Sequence, residues 1–246
     1  MLLTRVYDAL LTVAYPQACL VCGGSVEERR FGVACKACWD ATQVFRGAET
    51  ICWKCGALSL GIDLPLELRQ EVRCRRCDAQ AFAAARAVGS YDRALRESVL
   101  RLKRQPHLSS HLIELLVAAA QREPLNSATR IMPVPLHDQR TRVRGFNQAM
   151  VIAEALAKRL KIPVDAASLT RTRGSEKYRA GLDPKGRRDT VAGAFAVRHP
   201  RLVDTEKILL VDDVFTTGAT VDACAEALLA AGARQVFVLT IARGKS

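Results

Sequence analysis

Long apolar runs and aromatic residues are scarce in this sequence. No segment among the 246 residues approaches the roughly 20 consecutive apolar residues that a membrane-spanning helix needs. Arg5 and Asp8 interrupt the apolar N-terminus, so the sequence predicts no secretory signal and a cytoplasmic location. Low-complexity tracts are also absent and 49% of the residues are hydrophobic, which favours a globular protein over a disordered one. The length suits one main domain with a smaller appended unit.

Acidic residues are in deficit. The chain has 37 Lys and Arg but 25 Asp and Glu, a formal net charge of +12, which favours anionic partners. The excess is uneven, because residues 139–201 contain fifteen basic and five acidic residues. This segment is expected to face a polyanionic substrate. The alternative is a solvated basic surface that aids solubility.

Cysteine, by contrast, is abundant and regularly spaced. Eight of the nine cysteines form four C-x-x-C pairs, namely Cys19/Cys22, Cys35/Cys38, Cys52/Cys55 and Cys74/Cys77. Two thiolates three positions apart can both reach a metal ion about 2.3 Å away, and two such pairs complete a tetrahedral Cys₄ site. The four pairs therefore predict two structural zinc sites. Disulfides or a redox function fit less well with four copies in a chain expected in a reducing compartment.

The spacing leaves the pairing of the four motifs open. Sequential pairing would give two ribbon-like units, C-x₂-C-x₁₂-C-x₂-C and C-x₂-C-x₁₈-C-x₂-C, whereas a cross-brace would join first to third and second to fourth. Residues 1–80 hold few large apolar side chains, so the metal is expected to supply much of their stability. The sequence thus predicts a short amphipathic N-terminal helix, from Leu2 to Tyr15, and a zinc domain within residues 1–80, and a second domain over residues 81–246.

A phosphate-binding pattern lies near the C-terminus. The apolar run at 208–211 predicts a strand buried on both faces, and the periodic stretch at 221–229 predicts a helix. Between them stand two carboxylates and a short loop, namely Asp212, Asp213, Thr216, Thr217, Gly218, Ala219 and Thr220. Carboxylates at a strand end can accept hydrogen bonds from a diol, and N–H groups at a helix N-terminus can bind phosphate. The turn therefore predicts a site for ribose 5-phosphate, although acidic strand ends and Thr N-caps also occur without a ligand.

A second candidate anion site lies in the middle of the chain. The apolar run at 131–136 predicts a strand interrupted by two prolines, and a rigid loop at a strand end can present N–H groups to a ligand. Arg140, Arg142 and Arg144 follow at alternate positions, before a helix that ends near Leu160. Guanidinium groups match phosphate oxygens in pairs, so these arginines are a candidate diphosphate clamp. The alternative is a basic loop without a ligand.

The remaining patterns predict an α/β domain. Strands are expected at 85–88, 194–197 and 235–242, and helices at 94–104 and 111–122. His107 and His111 have no neighbours with ligand spacing and are expected to be surface or capping residues. The long basic connection at 168–195 is expected to be a lid that shields the site from water.

Taken in order, these motifs resemble one protein family. They are the four C-x-x-C pairs, P-V-P-L, R-G-F-N-Q-A, A-G-L before a basic stretch and G-A-F, and D-D-x-x-T-T-G-A-T. From about residue 15 to residue 243 the chain is similar to the ComF family, which includes competence ComF and GntX-type proteins. The resemblance implies a double zinc ribbon joined to a type I phosphoribosyltransferase domain, an α/β fold with a mostly parallel sheet flanked by helices. The lid departs from the family pattern at Arg179 and Thr190, where Gln and Asn are usual.

The resemblance also implies ligands and residue roles. Asp212 and Asp213 would contact the ribose of 5-phosphoribosyl 1-pyrophosphate (PRPP), and residues 216–220 would bind its 5-phosphate. Val134 and Pro135 would lie in the diphosphate loop, and Mg²⁺ would accompany PRPP. The implied activity is transfer of the phosphoribosyl group to an acceptor that the sequence does not identify. The implied context is competence and the uptake or use of DNA.

A protein of a different class is the alternative. The same fold could be the scaffold of a single-stranded nucleic-acid-binding protein, since the predicted helix at 94–104 has a basic face and a zinc module is present. Against this, Trp39, Trp53 and a few other aromatic residues are the only candidates for base stacking. The sequence indicates no oligomeric state.

Overall fold

A four-stranded parallel sheet forms the centre of the molecule. This computed structural model describes residues 16–59, 64–136, 142–172 and 193–244. The sheet has the strand order β1-β6-β5-β2, and each of its pairings is parallel. Its strands are β1 (Ala84–Ser90), β2 (Arg130–Pro133), β5 (Lys207–Phe215) and β6 (Gln235–Arg243). Strands β3 (Leu169–Arg171) and β4 (Phe195–Val197) form a separate antiparallel pair.

Helices flank this sheet. The α-helices are α1 (Lys36–Asp40), α2 (Arg93–Leu102), α3 (Ser110–Ala120), α4 (Gln148–Leu160) and α5 (Ala219–Ala230). Short 3₁₀ helices occupy Arg29–Phe31, Leu66–Glu71, Arg75–Cys77, Leu125–Ser127 and Pro200–Leu202. Except for the N-terminal helix, which lies outside the described residues, the strands and helices predicted above are present, with bounds that differ by up to four residues. Within the described segments, no helix has the length and apolar character needed to cross a membrane.

The two faces of the sheet pack against different helices. Leu209 and Val211 of β5 join a core cluster with α2, α3 and α4, whereas Ile208 and Leu210 join a cluster with α5. Successive residues of a strand point to opposite faces. The strand is therefore buried on both sides, which explains its continuous apolar run.

The cysteine-rich segment packs against this sandwich. Cys19, Phe31 and Trp39 belong to the core cluster that contains α2 and α3, whereas Cys52 and Cys77 belong to the cluster that contains α5. An antiparallel bridge also joins residue 44 to residue 89 at the free edge of β1. The segment therefore contacts both faces and one edge of the sheet. The domain boundary at residue 80 remains a prediction.

His111 corrects one expectation. Instead of lying on the surface or capping a helix, it is half-buried within α3. Its ring centroid lies 4.7 Å from that of Trp39 and 5.2 Å from that of Phe31, both in edge-on geometry. Burial lowers the pKa of His111. The prediction was wrong because the partners of His111 are far away in sequence; His107 is exposed, as expected.

Candidate functional site

The predicted sugar-phosphate motif lies where β5 ends and α5 begins. β5 continues to Phe215 instead of ending at Val211, because its pairing with β6 runs on to Arg243. α5 begins at Ala219, two residues earlier than predicted. The connection is therefore only residues 216–218, so both acidic residues belong to the strand. We call residues 216–220 the phosphate loop.

Gly218 shapes the phosphate loop. It is the N-cap of α5 and has φ +82°, in the left-handed region that favours glycine. A Cβ at this position would lie 2.6 Å from Gln80 Nε2 and 2.7 Å from Phe215 Cζ, so the packing excludes a side chain as well. The N–H groups of the first helical turn have no intrahelical acceptor and attract anions. Ala219 and Thr220 lie in that turn.

Asp212 and Asp213 project to opposite faces of β5, as neighbouring strand residues do. Asp213 Oδ2 lies 3.3 Å from Lys103 Nζ, just beyond α2, whereas the Asp212 charge contributes, after burial, to the raised pKa of Cys224 in α5. The Asp213 N–H donates to Asp212 Oδ1 at 2.8 Å. Burial, followed by the Asp213 charge, raises the pKa of Asp212 to about 7. The pair thus carries negative charge that a cation or hydroxyl donors would stabilise.

The second predicted loop lies beside β5. The Val134 N–H donates to the Val211 carbonyl at 2.9 Å, which ties the residue after β2 to the strand of the acidic pair. Asn147 Nδ2 donates to the Val134 carbonyl at 2.9 Å, and Asn147 Oδ1 accepts from the Ala149 N–H at 3.0 Å. Asn147 therefore caps α4 and fixes the loop at once. Pro135 comes next and has no N–H to offer.

The arginine clamp is described only in part. Arg144 Nη1 donates to Gln148 Oε1 at 3.0 Å, and Arg142 is exposed. Arg140 lies outside the described residues, as do Arg179 and Thr190 of the expected lid. The clamp and the lid therefore remain predictions.

The eight paired cysteines form two separate clusters. The first cysteine cluster is Cys19, Cys22, Cys35 and Cys38, and the second is Cys52, Cys55, Cys74 and Cys77; within each, the Sγ atoms lie within 4.8 Å of one another. The Sγ–Sγ distance is 3.8 Å from Cys22 to Cys35 and 3.5 Å from Cys52 to Cys77. A tetrahedral zinc ion with Zn–S bonds of about 2.3 Å separates its sulfur atoms by about 3.8 Å. Both clusters fit zinc, and the pairing is sequential rather than a cross-brace.

The thiols of the second cluster already differ in acidity. Hydrogen bonding from Cys55, the largest effect, lowers the pKa of Cys52 to about 3, and the same interaction raises the pKa of Cys55. The interaction between the two sulfur atoms therefore favours one thiolate in this pair. The thiolate is the form of cysteine that binds metal ions.

The second cluster contacts the phosphate loop through residues that the sequence did not reveal. Arg243 Nη2 lies 3.6 Å from Cys55 Sγ, and the Arg243 guanidinium lies 4.6 Å from the centroid of the Phe215 ring at the end of β5. Gln80 Nε2 donates to the Thr217 carbonyl at 3.0 Å. No local motif marks Gln80 or Arg243, because each is distant in sequence from its partner. Lys103 had a weak signal, as part of the basic end of the predicted helix at 94–104.

Comparison with known proteins gives matches over nearly the whole chain. The family model described as phosphoribosyl transferase domain matches residues 147–246, and that described as double zinc ribbon domain matches residues 10–78. The DNA utilization protein YhgH of Escherichia coli (strain K12) is 31% identical over 242 residues, which cover 95% of this chain and 99% of that protein. Competence protein F of Haemophilus influenzae is 28% identical over 235 residues, which cover 92% of this chain and 96% of that protein.

Proposed function

Because the chain belongs to the ComF family, in which a double zinc ribbon is joined to a phosphoribosyltransferase domain, we propose that it binds PRPP with Mg²⁺ and transfers the phosphoribosyl group to an acceptor. One observation carries this proposal, the junction of β5 and α5. There, two carboxylates at the strand end are followed by a left-handed glycine and a helix N-terminus. The sugar and phosphate parts of one ligand would thus be recognised side by side.

Each part of the proposed donor has a chemical counterpart at this junction. Asp212 and Asp213 would accept hydrogen bonds from the 2′- and 3′-hydroxyls of the ribose. The hydroxyls of Thr216, Thr217 and Thr220 and the first-turn N–H groups, including that of Ala219, would bind the 5-phosphate. Gly218 would let the backbone approach the phosphate closely.

The diphosphate would lie between the phosphate loop and the loop after β2. Val134 and Pro135 would face it, and Arg140 and Arg144 would bind its oxygens. The acidic pair fits a magnesium site nearby, since carboxylates are ligands that Mg²⁺ prefers and burial, followed by the Asp213 charge, disfavours the ionised form of Asp212 while no cation is bound. Bound with PRPP, Mg²⁺ would neutralise the charge of the diphosphate leaving group.

Positioning and electrostatics would carry the transfer. The bond between C1 of the ribose and the diphosphate oxygen breaks, the acceptor's lone pair forms the new bond to C1, and the diphosphate leaves with the electron pair. Positive charge develops on the ribose ring as the bond breaks, much as in glycoside hydrolysis. Asp212 and Asp213, held at the ribose, would stabilise that charge. No covalent intermediate with the protein is required.

Calorimetry of the double variant Asp212→Asn, Asp213→Asn tests the donor assignment. Mg²⁺·PRPP is titrated into the wild-type protein and the variant. Because hydrogen bonds to charged groups contribute about 1.5–3 kcal/mol each, the variant is expected to lose at least about 100-fold in affinity. The matched control is Glu154→Gln with Glu226→Gln, which removes two exposed carboxylates from α4 and α5. Affinity retained in the aspartate variant, or equal losses in both variants, would contradict the assignment.

A second candidate function is the binding of single-stranded DNA. It is supported by the net charge of +12 and by the names of two relatives, one a DNA utilization protein and the other a competence protein. The buried position of Trp39 counts against it, since Trp39 cannot stack on a base while it packs on His111. If the protein binds single-stranded DNA without stacking on Trp39, contacts of Lys and Arg with the DNA phosphates would supply most of the affinity.

The salt dependence of oligonucleotide binding distinguishes the two functions. The anisotropy of a fluorescent thymidine oligonucleotide is measured against salt concentration, with and without millimolar Mg²⁺·PRPP. A steep loss of affinity with salt that PRPP does not alter would support DNA binding by a surface outside the donor site. Absence of binding at low salt would exclude this second function and leave the first untouched.

A further inference from the structure

A cavity of about 400 Å³ lies between the ribbon of the second cysteine cluster and β1. Its walls include Arg46, Glu49, Trp53, Arg86 and Arg122. β1 is an edge strand, separated by β6 from β5 and its acidic pair. Cavities of 300–1,000 Å³ are the usual size of small-molecule sites. This one is assigned no role by the proposed phosphoribosyl transfer.

Arg86 places a buried guanidinium at this cavity. The residue is 6% exposed, and its Nη1 donates to the carbonyls of Trp53 and Ala85, both at 2.8 Å. Its Nη2 is buried and has no hydrogen-bond partner among the described residues. A buried guanidinium with an unused donor is costly unless an acceptor is supplied.

A second guanidinium lies on the same cavity. Arg122, half-buried after α3, donates through Nε to the Ala118 carbonyl at 3.3 Å. Burial lowers the pKa of Arg122, and burial together with the Arg122 charge lowers the pKa of Arg86 to about 10. The two cations therefore repel each other in a poorly solvated place. An anion bound between them would offset both their mutual repulsion and the cost of burying their charges.

The cavity wall holds more positive than negative charge, with Arg46, Arg69, Arg86 and Arg122 against Glu49 and the exposed Glu123. No ion pair of Arg86 or Arg122 is found within the described ranges. Glu49 is the acidic neighbour that opposes the lowered pKa of Arg122, but its two carboxylate oxygens already accept hydrogen bonds from the N–H groups of Arg46 and Gly47, both at 2.9 Å. Negative charge on Cys52 and Cys55 partly offsets the lowering of the Arg86 pKa. With zinc bound, their charge is shared with the metal.

Apolar side chains also line the cavity. They are those of Phe45, Ile51 and Trp53. The Arg86 guanidinium lies 4.8 Å from the centroid of the Trp53 ring, which holds the indole in place. Base stacking on aromatic side chains contributes about 1–3 kcal/mol per base. The cavity thus combines an anion-binding end with a surface suited to a planar ring.

We propose that this cavity binds a nucleoside monophosphate, with the phosphate between Arg86 and Arg122 and the base against the wall formed by Phe45, Ile51 and Trp53. Guanidinium groups match phosphate oxygens in pairs, and the volume holds a mononucleotide rather than the phosphate alone. The site lies apart from the donor site and does not depend on phosphoribosyl transfer.

NMR of the zinc-loaded full chain tests this proposal with AMP as the probe. The chain has two tryptophans, so the indole N–H of Trp53 is assigned by comparison with Trp53→Phe and reports on the cavity alone. AMP is expected to shift this signal in a saturable way, with inorganic phosphate binding at least tenfold more weakly. No shift of the Trp53 signal with millimolar AMP would overturn the proposal, and equal affinities for AMP and phosphate would overturn the assignment of a nucleotide.

Arginine variants locate the bound AMP. Arg122→Gln is expected to weaken binding at least tenfold, and Arg46→Gln, on the exposed side of the cavity, about threefold. The matched control, Arg104→Gln, changes an exposed arginine outside the cavity wall and should bind as the wild type does. The Asp212→Asn, Asp213→Asn variant should also retain AMP. Unchanged affinity in both Arg122→Gln and Arg46→Gln, or loss in the aspartate variant, would place AMP elsewhere and overturn the proposal.

Discussion

Gln80 Nε2 donates a hydrogen bond to the Thr217 carbonyl across 3.0 Å, joining residues 137 positions apart in the chain. The Gln80 N–H donates to the Cys77 carbonyl at 3.0 Å, so Gln80 is itself fixed to the second cluster. The N–H of the next residue, Ala81, donates to Asp222 Oδ1 in the first turn of α5 at 2.6 Å. The segment that leaves the second cluster therefore contacts the phosphate loop at Thr217 and the following helix α5 at Asp222.

Gln80→Ala is expected to weaken PRPP binding while leaving the zinc content at two ions per chain. One hydrogen bond contributes about 1 kcal/mol, and its loss frees the carbonyl of a loop residue, so a loss of about 5- to 10-fold in affinity is expected in calorimetry. Gln105→Ala, at an exposed position, is the matched control. If wild type binds PRPP and Gln80→Ala binds it equally well, the contact does not position the loop.

The two zinc sites are expected to differ in their effect on PRPP. Cys22→Ser and Cys74→Ser each alter the most accessible ligand of one cluster, and each variant should retain one tightly bound zinc ion, as measured by elemental analysis. Only Cys74→Ser should weaken PRPP binding, by about tenfold, because Gln80 joins the second cluster to the phosphate loop and Arg243 joins it to Phe215 just before that loop. Equal losses in the two variants would indicate general destabilisation instead.

Asp212→Asn is expected to stabilise the ligand-free protein at alkaline pH. The pKa of Asp212 is raised from 3.8 to about 7 by burial and by Asp213. The folded state therefore binds this proton more tightly than the unfolded state, a contribution that is complete below pH 3.8 and is lost as pH rises through about 7. The neutral amide avoids that loss, so the variant should melt about 3–8 °C above wild type at pH 8.

The gain from Asp212→Asn should shrink as the pH approaches 4, where the wild-type carboxyl is also neutral. Asp213→Asn provides the comparison, since it relieves the repulsion on Asp212 but also breaks the contact with Lys103, and should therefore bring a smaller gain. Thermal unfolding at several pH values measures both variants. If Asp212→Asn melts at or below the temperature of wild type at pH 8, ionised Asp212 does not destabilise the folded protein.

His111 is expected to make the protein less stable in mild acid. Its pKa is lowered from 6.5 by burial, so the unfolded state binds the proton more readily. The associated stability is fully present above about pH 6.5 and is lost as pH falls through that value toward the folded-state pKa. His111→Phe keeps a ring against Trp39 and should reduce the loss between pH 7 and pH 5, measured by chemical denaturation. His107→Gln, at an exposed position, should follow wild type throughout.

Features marked by local patterns were predictable from the sequence. The C-x-x-C pairs bring two thiols together within one turn, so zinc binding follows from the spacing alone. The apolar run of β5 and the periodicity of α5 likewise place the phosphate loop. The end of β5 was not predictable from its own residues, because the strand continues to Phe215 only through its pairing with β6.

Features that depend on the tertiary fold were not predictable. The sequential pairing of the cysteines requires two knuckles to meet in space, and spacing permits either arrangement. The burial of His111 and Trp39 results from contact between α3 and the first cluster. Gln80 has no sequence pattern at all, since its role depends on a loop that lies 137 positions away.

The position of β6 has a consequence for the newly made chain. β6 pairs with both β1 and β5, yet it follows every other described strand in sequence. On the ribosome, all eight clustered cysteines have emerged long before residues 235–243, so the zinc ribbons can fold during translation. The four-stranded sheet can close only after residues 235–243 have emerged, because β6 lies between β1 and β5. The order of synthesis therefore allows both cysteine clusters to bind metal before the sheet is complete.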